Sequence, residues 1–459
     1  MILRRLILLM QLFLTACMPS TPADVSTRAA SAVSDMPPMK TFSTPRPEPA
    51  RRANSDIARD FLDLAFQLES GRALPVFTRF EGPIRVRVTG EVPASLPSDL
   101  TRLVYRLQSE AGIDIALSQA GPANITIEAV SRAEIRRYLP HAACFVVPNV
   151  SSLAEYGRAR RSARVNWANL RAREKLAIFV PNDASPQEVR DCLHEELAQA
   201  LGPLNDLYRL PDSVFNDDNV HTVLTGFDML ILRLYYAPEL RSGMRRAEVA
   251  QRLPAILNRI NPRGNGVAPV RLRDTPRAWI EAVQTALGPG FSPSQRRQAA
   301  RESLQIATAM GWTDHRRAFS HFAMGRILQI SDPEAARQQF LTADRYYAGV
   351  NGARLHRAYV ASQLAAFALQ QGNGEAALET IAPHLGTAEQ YENAALLATL
   401  MLIRAEALQL TGRGAEANAV RLDSIGWARY GFGAEWAVRA KMREISALSP
   451  YRGRSDGAL

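Results

Sequence analysis

Lysine is almost missing from this chain. Lys40, Lys175 and Lys441 are the only three among 55 basic residues, so the formal charge of +10 is carried by arginine. The arginines are scattered and alternate with Glu and Asp. No compact basic and aromatic module occurs, which argues against nucleic acid as a partner. A solvated basic surface, attracted to anionic membranes, accounts for the excess. Cysteine is also scarce, with three in 459 residues, which excludes a disulfide-dense scaffold. Leu6 to Leu14 is apolar but too short to span a bilayer. What is present is 47% hydrophobic content, enough for two or three domains with their own cores.

The N-terminus reads as a targeting segment. Arg4 and Arg5 precede the apolar run, which ends in Leu14-Thr15-Ala16-Cys17. This resembles a bacterial lipobox. The resemblance implies a signal peptide over residues 1–16, cleavage before Cys17 and lipidation of its thiol; the alternative is an ordinary signal peptide with a chance cysteine. Met18 in place of Asp implies the outer membrane, so the expected location is the cell envelope, lipid-anchored and facing the periplasm. Residues 17–54 are rich in Pro, Ser, Thr and Ala and are expected to be a flexible tether. Residues 451–459 are expected to be a disordered tail. In an oxidising compartment the two remaining cysteines, Cys144 and Cys192, are expected to bridge, the alternative being two buried free thiols.

Residues 55–265 alternate between helical and strand periods. Ser55 is placed to cap a helix with apolar Ile57, Phe61, Leu64 and Leu68. Strands are expected at Ile84–Val88, Ile113–Leu117, Asn124–Val130, Cys144–Val147 and Leu176–Val180, with helices at Ser98–Ala111 and Ser131–Tyr138. An arginine-rich loop precedes the last strand. Ser185-Pro186-Gln187-Glu188 is a helix start, with Ser as cap, Pro at the first turn and Glu closing a capping box.

That helix runs into Glu195-Glu196-Leu197-Ala198-Gln199-Ala200-Leu201-Gly202-Pro203-Leu204-Asn205-Asp206. The stretch resembles the zinc helix of a metzincin, of the matrixin kind, H-E-L-G-H-A-L-G-L-x-H-D. The resemblance puts the three metal-binding positions on Glu195, Gln199 and Asn205, and the catalytic base on Glu196. Residues four apart share a helix face and can hold one ion, and a base beside the first ligand can activate the bound water. Here every imidazole is replaced. One carboxylate and two amide oxygens suit zinc poorly and would hold a divalent cation only weakly, so no cofactor is expected. His194 does not restore a site, because its partner position is Ala198.

The resemblance continues in Ser213-Val214-Phe215-Asn216-Asp217, where Phe215 takes the place of the family's Met-turn methionine. It continues again in Leu224 to Tyr235, which looks like the family's final helix, with Thr225 as cap and Asp228 at its third position. The chain also resembles a family of bacterial envelope lipoproteins known only as a domain of unknown function. The shared pieces are the lipobox, Asn54-Ser55-Asp56-Ile57, the Glu195–Asp206 block and Ser213–Asp217.

Residues 275–450 carry helical signals only. Asp332-Pro333-Glu334-Ala335-Ala336, Asn373-Gly374-Glu375-Ala376-Ala377 and Arg413-Gly414-Ala415-Glu416-Ala417 recur about every 40 residues, resembling tetratricopeptide-like helical hairpins. The expected architecture is an α+β zincin-like (metzincin-like) domain followed by an all-α helical-hairpin domain. The expected function is binding or scaffolding by a lipid-anchored envelope protein with a protein or peptide partner and an inactive metallopeptidase-like domain. The alternative is a peptidase-like hydrolase using Glu196 as base, with an atypical metal or none.

Overall fold

The computed structural model describes residues 36–43 and 47–450. The sequence expectations for the signal peptide, Cys17 and the tail after residue 450 lie outside the described residues.

The first half is built on a mixed sheet. Its strands are β1 (Ile84–Gly90), β2 (Ile115–Leu117), β3 (Ile125–Val130), β4 (Phe145–Pro148) and β5 (Leu176–Pro181), in the order β2-β1-β3-β5-β4. The first four strands in that order run parallel, and β4 pairs antiparallel at the edge. β5 is buried at every position, as its unbroken Leu-Ala-Ile-Phe-Val run requires of a strand covered on both faces. Helix α1 (Asn54–Phe66) and helix α2 (Leu96–Ala111) bury Ile57, Phe61, Leu100 and Leu103 in the same core as β1 and β3. Gly112, left-handed at φ 70°, ends α2, its N–H donating to the Gln108 carbonyl and the Ile113 N–H to the Leu107 carbonyl.

After β3, helix α3 (Arg132–Tyr138) starts on a full Ser131–Glu134 capping box. Helix α4 (Leu153–Ala159) and two short 3-10 turns occupy the stretch that the sequence suggests is an arginine loop. The missed signal is local: the Ser152 hydroxyl accepts the Glu155 N–H. Helix α5 (Pro186–Leu201) follows β5 and packs against both β5 and β4. The Cys144 and Cys192 sulfurs are bonded, tying the lead-in to β4 onto the middle of α5. Helices α6 (Gly226–Tyr235) and α7 (Arg246–Ile260) complete this half.

Two starts differ from the sequence reading. α1 begins at Asn54 with Ala53 as its cap residue, so Ser55 lies inside the first turn. Ser185 caps α5 through the Glu188 N–H, but the Glu188 carboxylate pairs with Arg132, leaving the expected capping box half made.

From residue 277 onward the described chain is helical: α8 (Arg277–Leu287), α9 (Pro293–Ala309), α10 (His315–Leu328), α11 (Pro333–Ala348), α12 (Arg354–Gln370), α13 (Gly374–Ile381), α14 (Leu385–Gln390), α15 (Ala394–Leu410), α16 (Gly414–Phe432) and α17 (Glu435–Ser446). The three recurring motifs fall at the starts of α11, α13 and α16. Asp332 and Asn373 cap the first two through their side chains, and buried Ala336, Ala377 and Ala417 let each helix pack closely on its neighbour. The architecture is thus an α+β part followed by an all-α part, and among the described residues no helix is long and apolar enough to cross a membrane.

The two parts meet along α5. Arg190 donates to the Glu392 carbonyl (2.7 Å) and the Thr222 hydroxyl (3.1 Å) and lies over the Tyr430 ring. Gln187 exchanges hydrogen bonds with Asn393 and the Ala395 N–H, and the Tyr430 hydroxyl donates to Asp99 at 2.8 Å. Those aromatic and polar contacts explain why α5 is buried nearly all round. Of the aromatics near the end of the chain, Tyr430 is buried but Trp436 is 74% exposed.

The tether reading does not hold for residues 36–43 and 47–54, which lie on the body. Phe42 stacks on Trp427 at 4.5 Å, Lys40 pairs with Asp423 and Glu48 pairs with Arg354 at 2.8 Å. Phe42 supplies the apolar anchor that the surrounding Pro, Ser and Thr composition conceals.

Candidate functional site

The C-terminal end of α5 is fixed from three sides. Arg173, buried before β5, donates to the Gln199, Ala200 and Gly202 carbonyls, satisfying acceptors that a helix end leaves open. Gly202 lies so close to Tyr235 that a β-carbon would stand 2.8 Å from its ring, so only glycine fits there. The chain then turns, and the Leu204 N–H donates to the Leu64 carbonyl. Arg209 clamps the next segment to α1 through Asp60 (2.8 Å) and Asp63 (2.5 Å).

Beyond the turn, Phe215 is fully buried and its carbonyl accepts the Leu207 N–H at 2.8 Å. The Ser213 hydroxyl donates to Asp228, which also accepts the Val214 and Thr225 N–H groups. Thr225 and Asp228 form the capping box of α6. Burial nevertheless pushes the Asp228 carboxyl up to about 6.

Of the positions matched to metal ligands, Glu195 and Gln199 come together with Asp206 around Glu69. Gln199 and Asp206 hold the Glu69 carboxyl, on the turn after α1, down against the rise that burial and Asp217 cause. Asn205 is committed elsewhere, donating to the Asp63 carbonyl at 3.0 Å. Asp217 adjoins the group and accepts from the Tyr208 hydroxyl (2.9 Å) and the Gln284 amide (3.2 Å).

The electrostatics follow from crowding carboxyls where water is scarce. Burial, then the charges of Glu69, Asp217 and Asp191, push Glu195 up to about 8. Burial, then Glu195 and Glu69, raise Glu196 well above the carboxylate range; Asp206 is raised in the same way, first by burial and then by Glu69. Glu196 is only 5% exposed and its Oε2 has no hydrogen-bond partner, as is true of Asp206 Oδ1. The polar residues of this region therefore do not fully satisfy one another, although their donor and acceptor types would allow it.

These residues fit zinc poorly. Among the described residues no three His, Cys, Asp or Glu side chains are disposed to hold a metal ion. His194 is buried, and its Nδ1 accepts the Leu224 N–H at 3.1 Å. Burial, then the charges of Arg106, Arg190 and Arg102, hold it well below the usual histidine range. It anchors the strand of chain that enters α6.

Residues 54–255 match the family model described as a protein of unknown function, DUF2927. The matched span runs from the first residue of α1 into α7, and so takes in the sheet, α5 and the carboxyl cluster. No curated protein and no solved structure matches the chain.

Glu69, Tyr208 and Gln284 are site residues that sequence reasoning missed, and none of them stands at a motif spacing. Asp217 closes the Ser213–Asp217 motif, but the sequence reading gave it no role at the site. Glu69 arrives through the turn after α1, and Gln284 through a helix of the second half.

Proposed function

We propose that the protein is a binding or scaffolding protein of the bacterial envelope, whose first half is a metzincin-shaped unit without hydrolytic activity. One observation carries the reading: Glu196 is buried, partly unpaired and held protonated by burial and by Glu195 and Glu69. A general base must be ionised near the working pH and within reach of a water. Glu196 in this setting is held toward its protonated form by burial and by Glu195 and Glu69, and little of it meets solvent. The α5 start after β5, the turn at Gly202, the buried Phe215 and the Thr225–Asp228 cap support the metzincin ancestry, as features at the positions where the sequence resemblance puts them.

The helical half supports a scaffolding role as a tetratricopeptide-like stack, with hairpins that begin at the recurring motifs. The Cys144–Cys192 bond supports an oxidising compartment. Lipidation at Cys17 and an outer-membrane location rest on the sequence of residues 4–18.

The test is hydrolysis of a peptide library by the purified chain, with and without added zinc, beside metal analysis of the same sample. No turnover and no stoichiometric metal is the expected result. Turnover that disappears in Glu196→Gln would establish the hydrolase alternative and overturn this reading.

A further inference from the structure

A cleft of about 320 Å³ opens between residues 218–220 and helices α8 to α12, a size suited to a small ligand. One wall is apolar, made by Leu287, Phe319 and Phe322. The polar groups on the other side are donors with capacity left over. Arg326 makes no hydrogen bond or close ion pair among the described residues, and Arg296 beside it outweighs the attraction of Glu444. Arg296 donates to the Ala286 carbonyl through Nε (2.8 Å) and toward the Leu287 carbonyl through Nη2, leaving Nη1 free. The Tyr359 hydroxyl accepts from Asn393 at 2.7 Å, so its own proton remains to be given.

The acidic group in the cleft is already engaged. Asp218 accepts from His356 Nε2 (2.8 Å), the Asn216 amide (2.8 Å) and the Val220 N–H (3.1 Å). What the cleft lacks is an acceptor for two guanidinium groups and a hydroxyl. We infer that it binds a carboxylate carried on an apolar body. The carboxylate would meet Arg326, Arg296 and Tyr359, for which guanidinium forks are well shaped, and the apolar body would lie on Phe319, Phe322 and Leu287. Free peptide chain ends and medium-chain fatty acids share this chemistry. Neither uses the carboxyl cluster at α5.

Isothermal titration of the full chain with N-acetyl-leucine and with octanoate, each beside its neutral amide, tests the inference. At least one carboxylate should bind, and its amide should bind at least ten-fold more weakly, since a charge-assisted bond is lost. Arg326→Gln should lower carboxylate affinity by a similar factor and leave amide binding unchanged. Arg326 is exposed and makes no hydrogen bond among the described residues, with Glu444 only in electrostatic reach, so the variant should fold as the parent does, which circular dichroism checks. Binding of N-acetyl-leucine alone assigns the cleft to peptide chain ends, and binding of octanoate alone assigns it to fatty acids. Equal binding of acid and amide, no binding at millimolar ligand, or an Arg326→Gln variant that binds as before would overturn the inference.

Discussion

Glu195→Gln should make the protein more stable at pH 8 and change little at pH 5. In the folded chain the Glu195 carboxyl is pushed from its ordinary 4.5 up to about 8, by burial first and by Glu69, Asp217 and Asp191 after it. A raised carboxyl favours folding while it keeps its proton. That contribution is complete below the unfolded value and is lost as pH climbs from about 4.5 toward 8. Each tenfold difference in proton affinity is about 1.4 kcal/mol, so full ionisation of Glu195 costs the fold about 5 kcal/mol. Between pH 5 and pH 8 most of that range is crossed, about 3 kcal/mol. A glutamine fills the same space and has no proton to lose. Urea unfolding of parent and variant at both pH values reads the difference as a shift in midpoint at constant slope. A stability change of the same size at pH 5 and pH 8 would refute the reasoning, because Glu195 would then titrate as a solvated carboxylate.

The remaining predictions concern the frame around the cluster. His221 and His315 are buried beside His356, at ring-centroid separations of 5.9 and 6.5 Å from it, and burial holds both down at about 4. A base with a lowered value favours folding in its neutral form, so this stability is present above pH 6.5 and is lost as pH falls toward 4. Acid titration of the melting temperature should show a loss of up to about 3 kcal/mol for each histidine. Gly202→Ala forces a methyl group into the Tyr235 ring and should destabilise by about 1–3 kcal/mol in urea unfolding. Reducing the Cys144–Cys192 bond, which closes a separation of 48 residues, should lower stability by about 4 kcal/mol, read by unfolding with and without a phosphine reductant.

Sequence periodicity located the sheet and α5 well, because their cues are local. β1 alternates, β5 is continuously apolar, and Ser185-Pro186 marks a helix start through chemistry confined to one turn. The arginine-rich stretch concealed α4, since its cap, Ser152 on Glu155, is brief and its buried face is only Leu153 and Ala159. Residues 36–43 and 47–54 were misjudged for a different reason. Composition reports whether a segment can form its own core, and Phe42 instead borrows the core made by Trp427 and Tyr430. The site was legible only in part for the same reason. Glu195, Gln199 and Asp206 lie on one motif, but Glu69, Asp217 and Gln284 reach them from separate elements, and no spacing in the chain announces that meeting.

The cluster's charge balance decides how it would treat a metal. Burial leads the rise of Glu195, Glu196 and Asp206, Glu69 adds to each, and among the described residues no arginine or lysine side chain pairs with any of the three. Protons therefore supply the positive charge that this site needs near neutral pH. A divalent cation entering among these oxygens must displace them, so its binding is coupled to proton release. If two protons leave, affinity rises up to about a hundredfold for each pH unit over the range where Glu195 and its neighbours titrate. Calcium titrations at pH 6 and pH 9 in lightly buffered solution, followed by released acid, should show negligible binding at the lower pH and at most weak binding, with proton release, at the higher, since no three of these side chains are disposed around one ion. Glu195→Gln should remove one of those protons. Binding of equal strength at both pH values would mean that the carboxyls are already ionised, and the argument that Glu196 cannot act as a base would fail with it.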